Sequence, residues 1–190
     1  MARPRTFDEE RALEAAMRAF WAVGYEATTT EDLCAATGLG RSSVYNTFRS
    51  KRELFEKALA HYMEVRTAAV LDLLGSDLPT REKIRALLWQ TVDADPDDPD
   101  GCLVVNTMVE VAPRDPKIAE CLRRDHDRRL EALRRAFLAG QRAGEIDGDR
   151  NPDDLACFVI ATITGMRVLV RGGADRAAVE AVANTALRAF

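Results

Sequence analysis

The stretch Thr28–Lys51, TTTEDLCAATGLGRSSVYNTFRSK, decides the fold. A Thr ahead of Glu31 and Asp32 reads as a helix N-cap. Its hydroxyl takes an orphan backbone N–H, and the acids fall in the first turn, where the helix dipole favours them. The reading places that cap at Thr30. The helix is short, about two turns, and Gly38 stops it. Leu39 and Gly40 turn the chain into a second short helix over residues 41–47, with Val44 and Phe48 four apart and facing inward. Two short helices joined by a glycine turn form a helix-turn-helix unit, whose second helix enters the major groove with its outward face and N-terminal end.

The outward positions of that helix are Arg41, Ser42, Ser43, Tyr45, Asn46 and Thr47. Arginine reads guanine O6/N7 in bidentate fashion, and asparagine reads adenine N6/N7. Serine, threonine and tyrosine hydroxyls hold phosphate oxygens, which fixes register without reading sequence. Thr30 places a hydroxyl at a helix N-terminus, which attracts anions, and Lys51 opens the next helix in the same way. Small residues at 42 and 43 let the helix approach a duplex closely.

Charge is distributed to match. The chain has 190 residues and a formal charge of −4. Residues 1–66 balance ten Lys/Arg against ten Asp/Glu, while residues 33–52 hold four cations and no anion. A local positive face on an acidic protein steers one side towards a polyanion. With 47% apolar residues the chain can bury a core, and intrinsic disorder is not expected. No apolar run approaches the ~20 residues of a membrane span. The opening MARPRTFDEE lacks the apolar core of a secretory signal, so a cytoplasmic protein with reduced thiols is expected. Cys34, Cys102, Cys121 and Cys157 lie far apart without a CxxC pair, so no metal site is expected.

Helical periodicity runs nearly throughout, and no segment alternates with period two. Leu13, Ala16, Met17, Phe20 and Val23 make residues 7–23 one amphipathic helix, ended by Gly24. Ser50 caps a fourth helix from Lys51 to about residue 74, with Glu53 completing a capping box. It carries Leu54, Phe55, Ala58, Leu59, Tyr62, Met63 and Val65. Thr80 caps the next helix, the acidic DADPDDPDG is a loop, and residues 102–112 form a short apolar helix. A long helix spans about 116–143. Residues 153–171 are apolar nearly all round, so that helix must be enclosed by its own domain or by a partner chain. A last helix ends the chain.

The stretch ALEAAMRAFWAVGYEATTTEDLCAATGLGRSSVYNTFRSKRELF resembles the N-terminal DNA-binding domain of TetR/AcrR transcriptional repressors. Phe20, Gly24, Tyr25, the Thr triplet, Ala35, Gly38, the Tyr45–Phe48 spacing, Lys51 and Leu54 carry the resemblance. It implies an all-α fold: a three-helix helix-turn-helix domain over 1–50, a connecting helix over 51–74, and a ligand-binding and dimerisation domain over 75–190. It implies phosphate or backbone contacts from Thr30, Ser43, Tyr45, Thr47 and Lys51, and base-proximal roles for Arg41, Ser42 and Asn46. Ser42 stands where glycine is frequent, and Asn46-Thr47 where Tyr-His is frequent. Both changes lie on the reading face, so an operator sequence does not carry over from relatives.

The resemblance further implies a homodimer through the last two helices, a double-stranded operator as partner, and a small-molecule effector rather than a bound cofactor. The effector pocket is expected between residues 81–92, 102–112, 117–140 and 153–170. Asn106, Glu110, His126, Thr162 and Arg167 are polar candidates, and Trp89, Met108, Phe137 and Phe158 apolar ones. Effector binding would release DNA through a pendulum motion of the helix at 51–74. Cys102, at a helix start, is a candidate electrophile sensor. The alternatives are a helical adaptor that binds another protein and a small all-α enzyme. No nucleophile–base pair, paired carboxylates or phosphate loop favours the enzyme.

Overall fold

The computed structural model describes residues 5–190, so the basic opening at Met1–Pro4 lies outside the described residues. Among the described residues the chain is all helical: α1 (Arg5–Val23), α2 (Thr30–Thr37), α3 (Arg41–Phe48), α4 (Lys51–Gly75), α5 (Thr80–Val92), α6 (Leu103–Glu110), α7 (Pro116–Arg142), α8 (Pro152–Arg171) and α9 (Arg176–Ala186), with 3-10 turns at Ala112–Arg114 and Leu187–Ala189. No helix among the described residues is long and apolar enough to cross a membrane.

The chain forms two compact units. Among the described residues, the first comprises those up to 65 together with 102–120, the second 66–101 and 121–190. This differs from the linear division at residues 50 and 74. α6 and the start of α7 return to the first unit, with Leu103, Val104, Val111 and Ile118 buried. α4 and α7 each begin in the first unit and end in the second.

The first unit is built on aromatic contacts. Phe20 of α1 and Phe55 of α4 meet edge to face at 5.2 Å, and Tyr25 lies 4.6 Å from Phe55. Trp21 meets Tyr62 edge to face at 5.1 Å. Phe20, Phe48, Phe55 and Leu54 are fully buried. Truncating one such phenylalanine to alanine costs about 3–5 kcal/mol. The second unit has its own core of Ile84, Leu88, Leu133, Phe137, Ala156, Val159, Met166 and Ala183. Phe137 stacks on Phe190, with ring centroids 5.3 Å apart.

Several caps and faces depart from the periodicity. α2 is capped by Thr29, not Thr30: its hydroxyl accepts from the Asp32 N–H, and the Asp32 carboxylate accepts from the Thr29 N–H at 2.8 Å. The reciprocal box needs the acid three residues after the cap, which selects Thr29. The Thr29 hydroxyl, donating to the Asp32 carboxylate at 2.7 Å, and then the Thr29 N–H hold that carboxyl below the usual carboxylate range. Thr80 opens α5 as its first residue, after Pro79 at the cap position; its N–H goes to the Glu145 carboxylate at 2.6 Å. Val23 and Val65 are exposed rather than buried on the apolar faces of α1 and α4.

Within one chain, α8 buries one face and leaves another exposed. Leu155, Ala156, Val159 and Met166 face the core of the second unit, while Cys157, Phe158, Ala161, Gly165, Val168 and Leu169 form an exposed stripe without a charge. The exposed positions of α9 between 177 and 185 are Ala177, Ala178, Ala181, Asn184 and Thr185.

Candidate nucleic-acid interface

α2 and α3 are held by a small set of anchors. Leu33 of α2 and Val44 and Phe48 of α3 are buried, so each helix has one fixed face. Gly38 ends α2 in the left-handed region at φ 68°, a conformation that a Cβ disfavours. Gly40 stands at the N-cap of α3 with no side-chain cap. The N-terminal amides of α3 are thus without a cap from their own N-cap residue, next to Arg41.

With Val44 and Phe48 inward, Arg41, Ser42, Ser43, Asn46 and Thr47 are exposed on one helix, and Tyr45 is half-buried beside them. The Tyr45 hydroxyl and the Thr30 hydroxyl share a hydrogen bond of 2.7 Å. That bond ties the first turn of α2 to the middle of α3 and brings two candidate phosphate ligands together. The Arg41 guanidinium lies 6.0 Å from the centre of the Tyr45 ring. The Lys51 ammonium donates to the Glu26 carbonyl at 3.2 Å and sits 4.6 Å from the centre of the Tyr25 ring. Neither contact neutralises the lysine, so its charge remains available to an anion. The eight residues singled out as DNA contacts therefore lie on α3, the first turn of α2 and the first residue of α4, all within the first unit.

Arg49 adds a feature that sequence reading passed over. The Ser50 N–H donates to the Phe48 carbonyl at 2.6 Å, closing a γ-turn on Arg49 at φ 59°. This is the rare, strained form of the turn. Arg49 is the sole non-glycine residue with positive φ among those described, and it is exposed at the end of α3.

The first unit also holds an ion-pair network. Arg52 pairs with Asp115 and, at 2.7 Å, with Glu56; Lys117 reaches Glu56 at 2.6 Å. The hydrogen bond from Lys117, then that from Arg52, holds Glu56 below its usual range; the bond from Arg52 does the same for Asp115, and the Arg52 guanidinium is pushed up, first by Asp115.

Comparison with known proteins divides the chain linearly, so residues 102–120 fall in the C-terminal match although they pack in the first unit. Residues 12–58 match the family described as "Bacterial regulatory proteins, tetR family", and residues 81–186 match "Tetracyclin repressor-like, C-terminal domain". The chain belongs to the TetR family. It is a helix-turn-helix transcriptional regulator, not an enzyme. It is 31% identical to the transcriptional repressor ComR of Escherichia coli strain K12 over 189 residues, covering 98% of this chain and 90% of ComR. It is 32% identical to the HTH-type regulator YezE of Bacillus subtilis strain 168 over 151 residues, 78% of each chain. The solved structure of a cysteine mutant of the TetR regulator CifR, complexed with 26-bp operator DNA, superposes with a TM-score of 0.87 at 31% identity over 100% of both chains.

Within this TetR-family chain the candidate effector residues are distributed over both units. Asn106, Met108 and Glu110 lie on α6, in the first unit. Asn106 donates to the Trp21 carbonyl at 3.3 Å, and the Glu110 carboxylate accepts from the N–H groups of Tyr25 and Glu26 at 3.0 and 2.8 Å. Met108 is exposed. In the second unit Phe137 is in the core, Phe158 is on the exposed stripe, and Thr162 donates to the Phe158 carbonyl of its own helix. Trp89 is half-buried under the Arg85 guanidinium, 4.8 Å from its ring centre. Arg167 donates to the Gly101 carbonyl at 3.5 Å, and His126 is half-buried.

The roles of Asn106 and Glu110 toward α1 were hidden from sequence reading. Their partners lie about 85 positions away, and nothing local to α6 signals them. Cys102 is the N-cap of α6 and is buried, with the Tyr62 hydroxyl donating to its Sγ at 3.4 Å.

Proposed function

We propose that this chain is a homodimeric repressor that binds a two-fold symmetric DNA operator through α3 and leaves it when a small molecule binds the second unit. One observation carries the DNA reading: α3 turns Arg41, Ser42, Ser43, Asn46 and Thr47 outward over the buried pair Val44 and Phe48, with Lys51 and the Thr30–Tyr45 pair beside them. Hydroxyls and Lys51 grip phosphates, while Arg41 and Asn46 address base edges. The likeness to the repressor ComR, and to CifR in its complex with operator DNA, supports the same reading.

The dimer reading rests on α8. An uncharged stripe from Cys157 to Leu169, with Gly165 opening onto free space, suits close packing against a copy of itself. α9 likewise exposes small residues at Ala177, Ala178 and Ala181. A four-helix bundle across a two-fold axis would bury both helices, and two α3 helices would then meet successive major grooves. Effector binding is supported by the match of residues 81–186 to a repressor C-terminal domain and by the buried Thr91 hydroxyl, which has no hydrogen-bond partner. A ligand that satisfies it gains the bond the protein lacks. Such a ligand dissociates the DNA complex only by its differential affinity for two states of the dimer.

Selection of bound DNA from a random pool tests the reading. It predicts enrichment of palindromic sites bound by a dimer. Recovery of no sequence, from a protein that is dimeric by light scattering, would favour an adaptor instead. Small molecules that dissociate the selected complex then define the effector, and Thr91→Val is expected to weaken their action.

A further inference from the structure

We infer that Glu110 is a positioning residue for operator binding: it fixes the turn that holds Lys51 in place. The inference rests on α3 and Lys51 being the DNA-facing elements. Glu110 is the last residue of α6. Its Oε2 accepts from the Tyr25 N–H at 3.0 Å and its Oε1 from the Glu26 N–H at 2.8 Å. One helical turn earlier, Asn106 Nδ2 donates to the Trp21 carbonyl at 3.3 Å. Two side chains four apart thus clasp the C-terminal end of α1, one donating to a carbonyl of its last turn and the other accepting from two amides beyond it.

Gly24 shows how close the approach is. Its φ is +95°, and a Cβ there would lie 2.7 Å from Glu110 Oε2. Glycine at this position therefore serves both the helix stop and the carboxylate.

The residues Glu110 holds are the ones that hold Lys51. The Glu26 carbonyl accepts from Lys51 Nζ at 3.2 Å, and the Tyr25 ring lies 4.6 Å from the same ammonium. Tyr25 and Glu26 also lead directly into Thr28 and the Thr29 cap. Thr28 is buried, its hydroxyl donating to the Gly24 carbonyl at 2.6 Å. A carboxylate on two adjacent backbone amides is a charge-assisted clamp, stronger than a neutral pair. It comes from a segment 84 positions downstream, which makes the pose of Lys51 depend on α6.

The test is a double-mutant cycle in the full-length protein, with operator affinity measured across a salt series for wild type, Glu110→Ala, Glu110→Gln, Lys51→Ala and Glu110→Ala/Lys51→Ala. Glu110→Ala is expected to weaken binding about tenfold or more. It should also flatten the salt dependence towards that of Lys51→Ala, by about one unit of slope per half-site. The double variant should bind little worse than Lys51→Ala alone, because the clamp acts through the lysine. Glu110→Gln keeps one acceptor oxygen and should lie between wild type and Glu110→Ala. It carries the same slope test if the alanine variant melts below the assay temperature.

Wild-type affinity in both Glu110 variants would overturn the inference. So would an unchanged salt slope, or losses that simply multiply in the double variant, which would mark Glu110 as a general stabiliser of the fold. Failure of the wild-type protein to bind any selected DNA would overturn the operator reading itself, and is distinguished by the wild-type arm alone.

Discussion

α3 and α8 are both helices with one buried face, and they differ in what they leave outside. α3 anchors itself with Val44 and Phe48 and exposes Arg41, Ser42, Ser43, Asn46 and Thr47. α8 anchors itself with Leu155, Val159 and Met166 and exposes Phe158, Ala161, Gly165, Val168 and Leu169. Hydroxyls, an amide and a guanidinium suit a hydrated, charged surface with hydrogen-bonding edges. Large apolar side chains next to bare backbone suit a dry protein surface. One helical fold thus leaves two kinds of exposed face, and their chemistry tells them apart.

The largest effect is expected where a charge enters the apolar face. Val168 is 52% exposed, so Val168→Glu should leave the second unit folded. In a dimer it would bury two unpaired carboxylates, each costing several kcal/mol. Light scattering should then report a monomer, and operator affinity should fall at least about a hundredfold. A Val168→Glu dimer with normal affinity would break the contrast between the two helices.

A smaller and more selective effect is expected on α3. Arg41→Ala should cost about 1–3 kcal/mol at one base pair and little on sequences already altered there. Equal loss on every sequence would move Arg41 from the base edge to the phosphate backbone.

Arg49→Gly sharpens the comparison from the side of stability. Glycine accepts the positive φ that Arg49 holds at 59°. Relief of about 1–3 kcal/mol of strain, less the greater freedom of glycine in the unfolded chain, leaves a net gain of about 1 kcal/mol. Thermal melting should shift upward; a fall would mean that the turn is not strained.

The smallest effect concerns the ion pairs that join α4 to Asp115 and Lys117. Glu56 and Asp115 have folded pKa values below their unfolded ones, through bonds from Lys117 and Arg52. Their contribution is therefore present above the unfolded values, about 4. It is lost as pH falls through the depressed folded values. Glu56→Gln/Asp115→Asn should show a shallower loss of stability below about pH 4 in acid titrations followed by circular dichroism. An unchanged acid limb would show that the network contributes nothing to folding.

Much of this was legible in the sequence where the cause is local. Val44 and Phe48 are buried because four-residue spacing on a helix is a strong signal, and Gly24 and Gly38 end helices because both need positive φ. The Thr triplet misled by one residue. Asp32 selects Thr29 by its distance of three, a rule that the presence of two adjacent acids obscured. The apolarity of α8 was visible, but periodicity alone could not separate its core-facing residues from the exposed stripe. α6 was the least legible element. Its composition resembles pocket lining, yet Asn106 and Glu110 spend their polar atoms on backbone groups of Trp21, Tyr25 and Glu26. Contacts across some 85 residues leave no mark on a local pattern.

The central claim is that α3 faces duplex DNA in two symmetry-related copies. A photo-crosslinking amino acid placed at Asn46 tests it most directly, with the same group at Glu82 of α5 as the reference position. The account predicts ultraviolet crosslinks from position 46 to bases in both halves of the selected operator, at places related by its two-fold axis, and none from position 82. A bound protein that crosslinks from 82 but not from 46, or from 46 to a single asymmetric place, would contradict it.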